Sequence, residues 1–256
     1  MRHLNKIMSV LLLLAAFGCS KVDEKGMNTG FVSFSVSSDN ALTEMTKSSV
    51  SDYTSVMPAY QDFILTVRDA DSAVAWSGKV SELTGTLQLT SGNYTVTASY
   101  GDVTEEGFDK PCFIGSASFS VEGDKTVEVE VPVRLANSVV KFTCTESFRN
   151  YFSSCSVSLK GSSDNTFSFA YGSGSDDFGT SNQTRGVFVE NWQVEVTGVF
   201  RTGSKNYNFS RKYTNLEAAT VYSINFNITN TGGAVVEISF AEDLETIELE
   251  DIELND

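Results

Sequence analysis

The chain has 256 residues, with 33 acidic against 18 basic side chains and a formal net charge of −15. That balance excludes a nucleic-acid binder, which needs a basic footprint, and it excludes electrostatic adhesion to anionic lipid headgroups. The one histidine is His3, so a chain that sheds its N-terminus has no imidazole for a Ser-His-Asp or Cys-His site or for zinc.

The first predicted element is a targeting signal. Arg2 and Lys6 precede an apolar stretch from Val10 to Phe17, and Gly18-Cys19 follows. The stretch falls well short of the roughly 20 residues that span a bilayer. Residues 1–18 therefore read as a lipoprotein signal peptide and Cys19 as the lipid attachment site. Ala16 and Phe17 depart from the usual residues before such a cysteine, and an ordinary secretory signal is the competing reading. Two or three acyl chains on Cys19 would anchor the protein stably. The expected location is the outer membrane, lipid-anchored and exposed at the cell surface. Loss of Arg2 and Lys6 leaves 16 bases against the same 33 acids. Residues 19–29, with Asp23 and Glu24, are an acidic linker.

From there the pattern has period two, the signature of half-buried strands. Val32, Phe34 and Val36 alternate with serines, and Phe63, Leu65 and Val67 follow. Tyr94, Val96, Ala98 and Tyr100 alternate with Thr95, Thr97 and Ser99. Ala117, Phe119 and Val121 lead through Glu122-Gly123-Asp124-Lys125 into Val127, Val129, Val131, Val133 and Leu135, which predicts a hairpin. The texture resumes with Val140/Phe142/Cys144, Cys155/Val157/Leu159, Phe167/Phe169/Tyr171, Trp192/Val194/Val196, Tyr207/Phe209, Tyr222 to Ile228 and Val236/Ile238/Phe240. Only Glu146 to Phe152 reads as helical, with Phe148, Tyr151 and Phe152 on one face. Residues 37–59 and 172–186 are long connections. The fold class is all-β: two tandem β-sandwich domains of transthyretin-like, Ig-like or Greek-key type, at 30–136 and 137–256.

Two stretches carry a resemblance. Leu87-Gln88-Leu89-Thr90-Ser91-Gly92-Asn93-Tyr94-Thr95-Val96-Thr97-Ala98 resembles the strand-turn-strand of transthyretin-like and pilin-like sandwiches. The second runs from Phe108-Asp109-Lys110-Pro111-Cys112-Phe113-Ile114-Gly115 to Leu135-Ala136-Asn137 and into Phe148-Arg149-Asn150-Tyr151-Phe152. Together they resemble an uncharacterised family of Bacteroidetes lipoproteins, a domain of unknown function, near the fimbrillin or type V pilin proteins. The resemblance implies a non-catalytic, lipid-anchored surface protein used in adhesion or as a pilus-type subunit. It also implies cleavage after a basic residue beyond the lipid cysteine, which opens a groove for a neighbour's strand. No arginine stands between Cys19 and Arg68, so the candidates are Lys21, Lys25 and Lys47, with Lys47 favoured by its context. The acidic tail with Ile247, Leu249, Ile252 and Leu254 reads as the last strand of its own domain or as a donor strand.

The alternative function is a surface glycan-binding lipoprotein for nutrient capture. Trp76, between Ala75 and Ser77, is the candidate ligand platform, whereas the alternation of Trp192 with Val194 and Val196 assigns Trp192 to the core. Cys144 and Cys155 are a candidate disulfide in an oxidising compartment, and two buried thiols fit the same pattern. Asp69-Ala70-Asp71 and Asp176-Asp177 lack calcium-loop spacing. No catalytic residue, cofactor or metal is predicted. The expected partners are the membrane, through the lipid, and other pilus or surface proteins or a glycan.

Overall fold

The structure is a computed structural model that describes residues 28–38, 43–44, 57–172, 186–230, 234–240 and 243–248. Its first half contains β1 (Thr29–Ser38), β2 (Thr43–Glu44), β3 (Ile64–Asp69), β4 (Val74–Lys79), β5 (Leu87–Thr90), β6 (Gly92–Tyr100), β7 (Phe113–Val121) and β8 (Thr126–Leu135). The second contains β9 (Ser138–Cys144), α1 (Glu146–Tyr151), β10 (Ser154–Lys160), β11 (Thr166–Gly172), β12 (Val187–Val189), β13 (Gln193–Thr202), β14 (Lys205–Thr214), β15 (Thr220–Asn230), β16 (Ala234–Phe240) and β17 (Asp243–Glu248).

Alternation places the side chains as the pattern requires. Along β8, Val129, Val131, Val133 and Leu135 are buried while Glu128, Glu130, Pro132 and Arg134 are exposed. The strands of the first half run in the order β4-β3-β6-β7-β8-β1-β5. This sheet folds over between β7 and β8. The two pair only at Phe113↔Leu135, Ile114↔Arg134 and Gly115↔Val133, so the expected hairpin is joined at its open end and splays toward its turn. Two residues explain the corner. A Cβ on Gly115 would lie 1.9 Å from the Pro132 carbonyl oxygen, so only glycine allows the crossing. Pro132, one residue past the last rung, has no amide hydrogen to continue the ladder. The folded sheet closes on one core, in which Val32 and Phe34 of β1 meet Leu65, Val67, Val96 and Phe119 of the opposite layer. Phe34 and Phe119 touch edge to face at 5.7 Å.

The second half pairs a sheet β11-β10-β13-β14 with a sheet β12-β9-β15-β16-β17. Its core is aromatic, with Phe142, Phe148, Phe152, Phe169, Phe200, Phe209 and Phe226 all buried. Helix α1 supplies Phe148 from above. Thr145 caps it by accepting a hydrogen bond from the Phe148 amide at 3.2 Å.

The two halves share one plan. Leaving out β2, let the strands of each half be a to g in chain order. Each half then has one layer ordered c-b-e-f, namely β4-β3-β6-β7 and β11-β10-β13-β14. Each has a second layer ordered d-a-g, namely β5-β1-β8 and β12-β9-β15. In both, strand a lies parallel to strand g, as β1 to β8 and β9 to β15. The second half alone adds β16 and β17 beyond g. Two residues, Ala136 and Asn137, join the halves, and Asn137 is fully buried.

Candidate functional site

Strand β1 forms the most distinctive site in the molecule. It is the central strand of its layer, and it arrives from the N-terminal side of the long connection. It pairs in parallel with β8 from Phe31↔Thr126 to Ser38↔Val133, and antiparallel with β5 from Thr29↔Thr90 to Val32↔Leu87. Val32 is fully buried and Phe34 nearly so, while Phe31 points outward and is 38% exposed. The slot that holds β1 grips its backbone near Thr29 and again at mid-strand. The Phe31 amide donates to the Lys125 carbonyl at 2.8 Å, and the Asp124 amide to the Thr29 carbonyl at 2.8 Å. The Tyr60 hydroxyl donates to the Phe34 carbonyl at 2.6 Å. Burial raises the Tyr60 hydroxyl above its ordinary range. Past β1 the chain crosses to the other half, where β2 pairs in parallel with Thr220 and Val221 of β15. The segment from β1 to β2 therefore touches both sandwiches.

Several residues singled out from the sequence have defined places. Trp76 stands on the edge strand β4 and is half-buried, packed against the first core with its ring over Gly78. Trp192 corrects the sequence reading: it is 67% exposed and is not a core residue. Strand β13 begins one residue later, at Gln193, and Trp192 sits in a turn in which its amide donates to the Glu190 carbonyl at 2.8 Å. The turn breaks the alternation that was extended to it from Val194 and Val196.

Cys144 and Cys155 are both buried in the second core and carry no disulfide in this structure. Burial pushes the Cys155 thiol far above its ordinary range, and the neighbouring Cys144 adds to the shift. Burial, and then the charge of Asp102, raises the Cys112 thiol. These are poor nucleophiles as they stand, because the thiolate is the reactive form. The Asp69 carboxylate accepts from the Asp71 and Ala73 amides at 3.0 and 2.9 Å, which makes it a turn former. Cys19, Lys47 and Asp176-Asp177 lie outside the described residues.

Clefts on the first half include the following pair. One, of about 460 Å³, lies at the β7/β8 corner between Thr97, Ile114, Ser116, Pro132 and Arg134. The other, of about 260 Å³, is lined by Tyr100, Asp102, Glu105, Asp109 and Lys110, with Lys110 paired to Glu105 at 2.7 Å. Among the described residues no group of three or more His, Cys, Asp or Glu side chains is placed to hold a metal ion. No helix among them is long and apolar enough to cross a membrane.

Residues 28–256 match the model of a family described as a domain of unknown function, DUF4493. A comparison with curated proteins by sequence finds no match. Among solved structures, one similar to this chain is a fimbrial assembly protein from Parabacteroides distasonis. The match has a TM-score of 0.45 and 10% identity, and it covers 86% of this chain and 98% of that one. Another is the fimbrial anchor protein Mfa2 from Porphyromonas gingivalis, with a TM-score of 0.35, 10% identity, and coverage of 84% of this chain and 98% of that one.

Proposed function

The chain belongs to the DUF4493 family, and on that premise we propose that it is a non-catalytic, lipid-anchored cell-surface protein, an adhesion or pilus-type subunit. In this reading Cys19 carries the lipid in the outer membrane, facing outward, and the sandwiches at 30–136 and 137–256 project from it. The observation that carries the reading is the position of β1. Every other strand of the first sandwich follows the long connection, while the central one precedes it and precedes Lys47. Cleavage at Lys47 would part the chain after β2 and before β3. Stripping the cut piece out would leave a strand-shaped slot between β5 and β8, walled by their backbone groups and floored by the first core. An extended segment from another subunit with the same alternation fits such a slot, since main-chain hydrogen bonds supply affinity and alternate side chains supply specificity.

The test is trimming by a lysine-specific protease, removal of the 28–47 piece, and incubation at high concentration. Denaturant-resistant ladders are expected, and a synthetic peptide of residues 28–38 should suppress them. A trimmed and stripped chain that stays monomeric refutes the reading, as does a ladder indifferent to the peptide.

A second reading, a glycan-binding surface module, is favoured by the exposed indole of Trp192, a flat apolar face of the kind on which sugar rings stack. It predicts that glycan binding falls on Trp192→Ala and less on Trp76→Ala, whose ring is half-buried.

A further inference from the structure

The two sandwiches meet through more than the two-residue link. The connection between β6 and β7 reaches across from the first half and inserts into the second. Phe108 packs against the second core, edge to face with Phe167 and Phe169 at 5.7 Å each. Gly107 and Phe188 exchange backbone hydrogen bonds at 3.0 and 2.8 Å. At the centre of this contact is Glu106, a carboxylate only 6% exposed.

Its oxygens are gripped from two elements of the second half. The amides of Ser162 and Ser163, in the turn between β10 and β11, donate to Oε1 and Oε2 at 3.0 Å each. The Ser163 hydroxyl donates to Oε2 as well. The Glu190 amide, just after β12, donates to Oε1 at 3.1 Å. The turn has glycine where the carboxylate enters: a Cβ on Gly161 would stand 2.2 Å from Oε1. A buried carboxylate is costly to hold unless donors surround it, and hydrogen bonds to an ionised acceptor are about twice as strong as neutral ones. Here every donor to the carboxylate comes from the opposite sandwich. Parting the halves would strip all of them at once.

We propose that Glu106 is the latch of an interdomain joint. It holds closed a connection that would otherwise hinge at Ala136-Asn137, so that the pair of sandwiches moves as one stiff body. The joint has the parts of a latch: a short tether, an inserted plug from Glu106 to Phe108, and one carboxylate seated in a pocket of amides shaped to receive it.

The test uses the full chain with Cys19→Ser and with spin labels at Ser118→Cys and Ser210→Cys, exposed positions in different halves; the thiols of residues 112, 144 and 155 are buried and stay unlabelled. Pulsed dipolar spectroscopy should give a narrow distance distribution for the otherwise unaltered protein. Glu106→Gln, which keeps the shape and loses the charge, and Gly161→Ala, which blocks the seat, should each broaden it at least twofold. Hydrogen exchange in the same samples should rise at least tenfold at the Ser162, Ser163 and Glu190 amides and stay unchanged in β3 and β13. A broad distribution in the unaltered protein overturns the proposal, and so does an unchanged width in both variants. Equal loss of protection across the whole chain also overturns it, since Glu106 would then support the fold and not the joint. Should the variants fail to fold, the unaltered protein still decides. Its three amides must exchange at least a hundredfold slower than those of exposed turns, and comparable exchange overturns the latch.

Discussion

Gly115→Ala tests the corner on which the first sandwich closes. The added methyl would meet the Pro132 carbonyl oxygen at 1.9 Å, the Pro132 carbonyl carbon at 2.8 Å and the Val133 Cα at 2.8 Å. A carbon and a carbonyl oxygen normally approach to about 3.3 Å, so β8 must retreat by more than 1 Å. All three contacts are with backbone, and no rotamer change relieves them. The retreat falls on the last of only three rungs that join β7 to β8. Losing one or two hydrogen bonds there costs about 0.5–1.5 kcal/mol each, and the overpacking adds about 1–3 kcal/mol. A total of about 3 kcal/mol lowers the melting temperature by about 6–12 °C in a chain of this size. The assay is thermal unfolding followed by far-ultraviolet circular dichroism. Gly92→Ala is the control, because its nearest neighbour is the Tyr94 ring at 3.7 Å and its melting point should hold. If Gly115→Ala melts within 1 °C of the parent, the crossing is not crowded and the account of the corner is wrong.

Phe148→Ala should destabilise by about 3–5 kcal/mol. The ring is fully buried and packs against Phe152 at 4.7 Å, Phe200 at 5.1 Å and Phe226 at 5.6 Å; denaturant unfolding with an unchanged m-value checks this. Stability should fall as pH rises past the ordinary thiol range of about 8.5. Burial raises Cys112 and Cys155, so above that range the unfolded chain has released thiol protons that the folded chain retains, and unfolding is favoured. Cys155→Ala should flatten the decline in melting temperature between pH 8 and pH 10, and an unchanged slope would contradict this.

The strands were legible where one face is buried and one is wet, as in β8, because alternation records that asymmetry directly. Strand β12 was not: Val187, Phe188 and Val189 are buried on both faces, so no alternation exists to read. The parallel pairings of β1 with β8 and β9 with β15 were equally hidden, since period two is the same for either strand direction. The β7/β8 hairpin was half right. Its turn and ends were visible, but the splay depends on one glycine meeting a distant carbonyl. Glu106 looked like one more acid in an acidic chain. Its partners lie 56, 57 and 84 residues away, and nothing local to Glu105-Glu106-Gly107 announces them.

The shared plan of the two halves sharpens what is peculiar about the first. Strand a of the second sandwich, β9, is tied to the preceding strand by two residues and cannot leave. Among the described residues, strand a of the first, β1, has no preceding strand to tie it. It is kept by eight register pairs with β8, four with β5, and the burial of Val32 and Phe34. At about 0.5–1.5 kcal/mol net per hydrogen bond and about 1.5–3 kcal/mol per buried side chain, that hold is on the order of 10 kcal/mol. A single cut in the connection therefore would not eject β1; the nicked segment stays seated. On the proposed function, an incoming strand would have to displace it rung by rung, starting from one end. Strand pairing is one-sided toward Ser38, because β5 pairs only as far as Val32, and beyond it β8 and the Tyr60 hydroxyl on the Phe34 carbonyl hold β1. If a strand from another subunit replaces β1, as proposed above, the exchange would open from Ser38 toward Thr29, and its speed would be set by the first few rungs rather than by the total hold.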